Sequence, residues 1–264
     1  MTAAAARSLT ARSVVLSTLL GTTPPRLPGR LLVALAGEFG ITEGTTRVAL
    51  SRMVDRGELT NVDGTYHLTG PLLERQDRQE RSRRSGGDGG DGWDGNWELR
   101  VVRGGARRAA DRAELRRALV LLGLAELREG AWLRPANLDP ARLPARQAVV
   151  DASTDAFTAR PAQPASLAAR LWALSAWAAE AHRLQREMSA IIQRIDDDDR
   201  GAVVPGFELS AAVLRHFLAD PVLPAALAPP GWPAEHLRTS YDAYDHAYRR
   251  LLRRFFRQVR DSFG

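Results

Sequence analysis

Residues 42–56 carry hydroxyl and guanidinium groups at spacings that suit contacts with a nucleic acid. The stretch TEGTTRVALSRMVDR contains three threonines, one serine and three arginines. A guanidinium donates hydrogen bonds in a planar fork that matches phosphate oxygens and guanine edges, and side-chain hydroxyls also bind phosphate. We therefore expect this stretch, with one histidine that follows it, to contact DNA; the candidates are Thr42, Thr45, Thr46, Arg47, Ser51, Arg52, Arg56 and His67.

These groups can act together only if the stretch is a helix with one face in solvent. Thr42 is a suitable N-cap after the turn at Gly40, and Gly57 is expected to end the helix at its C-terminus. At helical spacing, Ala49, Leu50, Met53 and Val54 fall on one side, which predicts a buried face. The opposite side carries Thr45, Arg47, Val48, Ser51 and Arg52.

The neighbouring sequence predicts the rest of a winged helix-turn-helix. SVVLSTLLG and GRLLVALAGEFG have the spacing of two earlier helices, and ELTNV and TYHLT alternate around Asp63-Gly64, a strong hairpin signal. In that arrangement the third helix enters a major groove and the hairpin forms the wing. A small helical domain with solvated arginines is the alternative, but the ordered combination of elements favours DNA binding.

Composition limits the other classes of function. There is no cysteine, which excludes disulfides and thiolate metal sites and favours a cytoplasmic protein. No apolar run is long enough to predict a membrane span. Every one of the 37 basic residues is arginine, and the net charge is +6. Codon bias explains the absence of lysine, and the charge permits DNA binding without establishing it.

Shifts in composition divide the remaining chain. LLERQDRQERSRR predicts a charged connecting helix at the end of segment 1–84, and a linker rich in glycine and aspartate covers 85–96. In 97–160, WELRVV, AWLRP and QAVVD suggest strands and DRAELRRALVLLGL a helix. In 161–264, three amphipathic stretches predict a helical domain, the first being SLAARLWALSAWAAEAHRLQREMSAIIQRI. The predicted fold class is α+β and mostly helical.

Three segments together resemble the PaaX-like regulators, the family of the phenylacetic acid degradation repressor. The first is SVVLSTLLG…GITEGTTRVALSRMVDRGELT, and the second is the Trp-Asp-Gly-x-Trp entry at residues 93–97. The third is LADPVLPAALAPPGWPAEHLRTSYDAY, which is similar to that family's proline- and tryptophan-containing segment. They cover most of the chain in the family's order, and the third segment is the discriminating one.

The resemblance implies a transcriptional repressor that binds a palindromic operator as a homodimer and is released by an acyl-CoA thioester. It also implies that 97–160 is a small ferredoxin-like α+β domain, similar to a CRISPR-associated nuclease. The sequence departs from the family where WELRVV ends, since Arg103, Gly104 and Gly105 follow instead of a carboxylate-containing run. Metal-dependent nuclease chemistry is therefore not expected, and neither a metal nor a cofactor is predicted.

The sequence offers one candidate effector set and leaves its role open. Trp172 lies on the first long amphipathic stretch, where core packing and an aromatic wall for an acyl group are both reasonable. Arg215, His216 and Phe217 combine a cation with rings, which suits a coenzyme A phosphate and an aromatic group. Trp232, in the proline-containing segment, completes the set. Tyr241, Tyr244 and Tyr248 share a helical face that is either core or a dimer surface.

Two further patterns have simpler interpretations. The five histidines do not form a metal-binding pair, and Asp196–Asp199 is more typical of a solvated loop than of a cation site. No catalytic motif occurs in a suitable context. A non-enzymatic, ligand-responsive repressor is thus the leading hypothesis. An acyl-CoA enzyme with a DNA-binding module and a constitutive DNA-binding protein without an effector are the alternatives.

Overall fold

The computed structural model of the protein describes residues 9–70, 72–73, 93–105, 108–139 and 143–262. Its contacts group the chain into two compact units. The first unit comprises Met1–Arg81, Met188–Ser210 and Ala243–Gly264, and the second comprises Ser82–Glu187 and Ala211–Asp242. The division of the chain into four segments stays a prediction. Most of the predicted charged helix and linker, residues 74–92, lies outside the described residues.

The first unit begins with the predicted winged helix. Helices α1 (Ala11–Leu20), α2 (Gly29–Glu38) and α3 (Glu43–Asp55) bury a shared apolar core that includes Leu19, Leu35 and Met53. Strands β1 (Arg26–Pro28), β2 (Leu59–Val62) and β3 (Thr65–Leu68) form an antiparallel sheet in the order β1-β3-β2. The hairpin is confirmed, whereas β1, a strand of three residues, was not predicted.

The second unit contains the four-stranded sheet of a ferredoxin-like domain. Its elements follow in the order β4 (Trp97–Val102), α4 (Ala109–Leu121), β5 (Ala125–Arg128), β6 (Ala131–Pro135), α5 (Pro144–Asp151) and β7 (Thr154–Ala159). The strands are antiparallel in the order β5-β6-β4-β7. This β-α-β-β-α-β arrangement confirms the predicted fold. The prediction of a strand at QAVVD was wrong, since those residues belong to α5.

The remaining helices are α6 (Pro164–Leu171), α7 (Leu174–Asp196), α8 (Val203–Leu218) and α9 (Ala234–Asp261). The stretch predicted as one amphipathic helix is two helices, because Trp172 adopts an extended conformation with φ −125° and ψ 142°. The C-terminal tyrosines are core residues. Tyr244 and Tyr248 are buried in the first unit, where their hydroxyls donate to the carbonyls of Gly206 and Val203.

Candidate nucleic-acid interface

The start of α3 is fixed by its own side chains. Thr42 is the N-cap in extended conformation, and its hydroxyl accepts a hydrogen bond from the amide of Thr45 at 3.3 Å. The preceding Gly40 has φ +71°, a left-handed conformation that glycine adopts without a Cβ penalty. Amide groups of the first turn therefore point out of the helix start, where partial positive charge favours a phosphate.

The outer face of α3 is in solvent, as the sequence pattern predicts. Thr45, Arg47, Ser51 and Arg52 are all exposed, and Arg56 is an exposed residue at the helix end. Leu50 and Met53, on the other side, are 1% and 0% exposed. The arginines are thus not folded against the rest of the described protein, and their donors face outward.

Thr46 does not belong to this face, which corrects the sequence-based assignment. Its side chain is completely buried, and its hydroxyl donates to the carbonyl of Thr42 at 3.1 Å. A buried threonine that is bonded to the preceding turn cannot reach DNA. It contributes instead to the packing of α3 and to the order of its first turn.

Arg47 is held along the helix by a carboxylate. Its Nε donates to Oε1 of Glu43 at 2.7 Å, and the side chains of Arg47 and Glu43 are 67% and 61% exposed. An exposed ion pair of this type contributes only a few tenths of a kcal/mol, roughly 0.3–0.5. The guanidinium can therefore exchange this partner for a phosphate or a base edge at little cost.

An open groove of about 530 Å³ separates the outer part of α3 from the start of α1. Thr45, Val48 and Arg52 line one wall. Arg12 lines the other and is paired with Glu58, with its Nη2 2.7 Å from Oε1. The hydrogen bond from Arg12 holds the pKa of the Glu58 carboxyl below its usual range. The Arg12–Glu58 ion pair therefore links α1 to the residue that directly precedes strand β2 of the wing.

The wing is a tight hairpin beside α3. Asp63 and Gly64 have φ 49° and 76°, the left-handed values that a two-residue type I′ turn requires. His67 is half-buried on the central strand, paired with Arg26 on one side and Thr60 on the other. The sequence placed His67 correctly on the wing, but its contact with DNA stays a prediction.

The C-terminal helices of the first unit contact α2 directly, a feature that the sequence did not reveal. The ring of Phe39 meets that of Phe207 edge-on, with centroids 5.0 Å apart. Arg200 donates to Glu38 at 2.9 Å and also lies over the ring of Phe255. The helix that precedes α3 is therefore held by residues more than 150 positions away in the sequence.

The acidic run before these contacts is neutralised by arginines. Arg194 pairs with Asp199 at 2.8 Å, and Arg250 pairs with Asp196 at 3.2 Å. Asp198 is within 3.3 Å of Arg254. Carboxylates that are already paired with guanidinium groups are poor candidates for a cation site.

In the second unit, two of the predicted effector residues meet on a tryptophan. His216 and Trp232 both stack on Trp177, with ring centroids 4.3 and 4.7 Å away. The indole Nε1 of Trp177 and the Nε2 of His216 are buried and have no hydrogen-bond partner among the described residues. We name these three residues the aromatic stack. From the sequence, Trp177 was left open between core packing and an aromatic wall, like Trp172 on the same long stretch, and the structure joins it to the other two.

The other predicted effector residues lie around the stack in different roles. Trp172 is half-buried, with its ring 6.2 Å from that of Trp97, and Trp172 and Trp232 pack on one apolar cluster. Phe217 is buried against Tyr241 and beneath the guanidinium of Arg238. Arg215 is exposed. The structure thus brings Trp172, His216 and Trp232 to one region and assigns Phe217 to the core.

Burial affects the charge of the stacked histidine. Loss of solvent lowers the pKa of His216, and this effect exceeds the opposing influence of Glu180 and of a hydrogen bond to the carbonyl of Trp177. His216 is therefore neutral near pH 7, when its free Nε2 is an acceptor. The indole of Trp177 supplies a donor. The aromatic stack therefore contains one buried acceptor and one buried donor.

The proline-containing segment is held by Asp220, which is 8% exposed. Its carboxylate accepts from the amide of Val222 at 2.9 Å and pairs with Arg238. Val222 has φ 47°, which is strained for a β-branched residue, and its carbonyl accepts from Asn137 at 2.8 Å. Leu223 enters the same apolar cluster as Trp232. Asp220 is thus a structural part of the segment.

Comparison with known proteins decides the family. Residues 10–72 match the profile described as PaaX-like protein, residues 90–170 match the PaaX protein central Cas2-like domain, and residues 172–258 match the PaaX-like protein C-terminal domain. The chain belongs to the PaaX-like family. The predicted resemblance is therefore confirmed over all three parts, and membership of the PaaX-like family supports a transcriptional regulator.

A solved structure is similar over nearly the whole chain. It is the uncharacterized protein Rv0674 from Mycobacterium tuberculosis, which is 40% identical, with a TM-score of 0.72. The match covers 93% of this chain and 98% of that one. No curated protein matches the PaaX-like chain at a significant level. None of the helices in the described ranges combines the length and the hydrophobicity that a membrane span requires.

Proposed function

We propose that the protein is a ligand-responsive DNA-binding repressor that acts as a homodimer on a palindromic operator. The observation that carries this proposal is the solvent-facing side of α3, which exposes Arg47 and Arg52 and is followed directly in the chain by the hairpin of the wing. A helix of this form fits the major groove, and hairpins of this type contact the adjacent backbone. Operator DNA would contact Thr42, Thr45 and Ser51 through hydroxyls, and Arg47, Arg52 and Arg56 through guanidinium groups.

Substitution of the two central arginines tests this proposal. Arg47→Ala and Arg52→Ala should each weaken binding to an operator duplex, by ~1–3 kcal/mol where the arginine reads a base. An arginine that contacts only phosphate should instead lower affinity for all duplexes and reduce the salt dependence. Titrations by mobility shift at several salt concentrations separate the two roles.

A matched variant controls for loss of charge. Arg117 is also exposed on a helix, but it lies on α4 in the second unit. Arg117→Ala removes the same charge and should change operator affinity much less. Equal affinities for wild type, Arg47→Ala and Arg52→Ala would show that α3 does not bind DNA through this face.

We further propose that an aromatic acyl-CoA thioester, such as phenylacetyl-CoA, binds near the aromatic stack and releases the operator. Flat rings on Trp177 suit an aryl group, and its buried indole N–H lacks an acceptor among the described residues. An unpaired buried donor costs about 1–3 kcal/mol, so a carbonyl oxygen of the ligand would gain from this contact. The exposed Arg215 is a candidate for the coenzyme A phosphates.

The first unit offers a means by which the C-terminal region can influence DNA binding. Phe207 and Arg200 contact Phe39 and Glu38 at the end of α2, one turn of chain before α3 begins. A ligand that favours a different position of these C-terminal helices would change the population of the DNA-competent arrangement. This mechanism requires no contact between ligand and DNA.

A further inference from the structure

We infer that Val48 reads the methyl group of a thymine in the operator, an inference that rests on the proposed DNA-binding function. Val48 is 51% exposed although it is apolar. It lies one helical turn from Thr45 on one side and from Arg52 on the other, and all three line the open groove beside α3. It is therefore an apolar element within the row of groups proposed to face DNA.

The major groove presents one apolar group for such a side chain. Thymine carries a C5-methyl there, whereas the other base edges present hydrogen-bond donors and acceptors. Arg47, Arg52 and the hydroxyls of α3 are suited to the polar edges and the phosphates. Val48 cannot form hydrogen bonds through its side chain, so contact with a methyl group is the favourable interaction available to it in that groove.

The choice of valine at this position also has a physical cost that such a contact would offset. Valine is less favourable than alanine or leucine in an exposed helix position, because its branched side chain loses χ1 freedom. The same stiffness holds its two methyl groups in one orientation, so little side-chain entropy is lost when they meet a base. A flexible residue such as methionine would give less selective contact.

Deoxyuridine provides a direct test, because it differs from thymidine only in lacking the methyl group. The full-length protein would first select duplexes from a random pool, and each thymine of the selected half-site would then be replaced singly by deoxyuridine. For the wild type, replacement at one position should weaken binding about fourfold, which corresponds to ~0.8 kcal/mol for one buried methyl. For Val48→Ala, the same replacement should have little effect.

Two other variants sharpen the result. Val48→Thr keeps one branched methyl and should retain part of the discrimination between thymine and uracil. Val120→Ala is a matched control, since Val120 is 53% exposed on a helix but lies on α4 in the second unit. Val120→Ala should leave discrimination at the Val48-dependent position unchanged.

The outcomes separate this inference from the function on which it rests. Failure of the wild type to select any duplex would contradict the DNA-binding function itself. Selection of a duplex in which no deoxyuridine replacement weakens binding would overturn the inference about Val48 alone. The same conclusion follows if Val48→Ala shows the full wild-type penalty at every thymine.

Discussion

At the scale of single residues, the pairing of Arg47 with Glu43 predicts a gain of DNA affinity on substitution. Glu43→Gln removes a negative charge from the face proposed to approach phosphates and leaves the Arg47 guanidinium without its carboxylate partner, which now lies 2.7 Å away. We expect binding to tighten roughly two- to fivefold, in line with ~0.3–1 kcal/mol for an exposed pair. The gain should be largest at low salt.

The control for this substitution lies on the same helix. Asp55→Asn also removes a negative charge from α3, but at its exposed last residue, away from Arg47. Mobility-shift titrations of both variants should show a larger gain for Glu43→Gln. Weaker binding by Glu43→Gln at one particular base pair would contradict this expectation and indicate that Glu43 accepts a hydrogen bond from cytosine.

The same helix shows how far single residues are predictable from sequence. Helical spacing correctly predicted the exposure of Thr45, Arg47 and Arg52, because the burial of Leu50 and Met53 fixes the opposite side. Thr46 was misplaced because its hydroxyl was counted as a DNA contact, although Thr46 lies four residues before Leu50 and seven before Met53 and so shares their buried face at helical spacing. The residue type was misleading here, whereas the spacing within α3 agrees with the structure.

At the scale of elements, α2 connects the wing with the C-terminal helices. Its first amide, at Gly29, donates to the carbonyl of Gly64 in the wing turn at 2.8 Å, and Phe39 at its end packs on Phe207. Phe207 is 6% exposed. Phe207→Ala should therefore leave a cavity beside α2 and lower the free energy of unfolding of the first unit by ~3–5 kcal/mol.

Hydrogen exchange and urea unfolding can check this expectation. Amides of α2 should exchange faster in Phe207→Ala than in the wild type, and the urea midpoint should fall. Phe157→Ala is a matched control, because Phe157 is 54% exposed on β7 in the second unit. Unchanged exchange in α2 would show that the C-terminal helices do not support the DNA-binding helices.

Elements with local signals were predicted well, and those defined by distant contacts were not. The N-cap at Thr42 and the Asp63-Gly64 turn act through neighbouring residues, so α3 and the hairpin were predicted close to their observed bounds. QAVVD was mistaken for a strand because its valines are β-branched, although Pro144 begins a helix there. No glycine or proline marks the break at Trp172, and apolar periodicity continues across it.

At the scale of the whole molecule, the candidate effector region depends on contacts that sequence alone could not supply. Trp177, His216 and Trp232 come from α7, α8 and the segment before α9, and stacking brings their rings together. Each ring alone is typical of a protein core. The resemblance to a known family suggested which segments matter, whereas the three-dimensional arrangement shows which side chains are in contact.

The effector proposal predicts a linked change in stability and operator binding. Phenylacetyl-CoA at 100 times its dissociation constant should stabilise the protein by about 2.7 kcal/mol and raise the melting temperature by roughly 5–10 °C. The same ligand should dissociate the operator complex, and DNA should weaken ligand binding by the same factor, because coupling between two sites is reciprocal. Thermal-shift measurements check the stabilisation by the ligand, and mobility-shift competition checks its effect on operator binding.

Substitutions in the aromatic stack test whether the effector binds there, and the same measurements distinguish the competing functions. Trp232→Leu should abolish the thermal shift and the release of DNA, while operator affinity without ligand stays close to that of the wild type. Phe157→Leu also replaces an aromatic side chain in the same unit, but one outside the stack, and it should retain both responses.

Operator complexes that no acyl-CoA thioester dissociates would contradict an effector-controlled repressor and support a constitutive DNA-binding protein. Turnover of the thioester, abolished by a single polar substitution, would instead support an enzyme, because repression by linkage requires binding without chemical change.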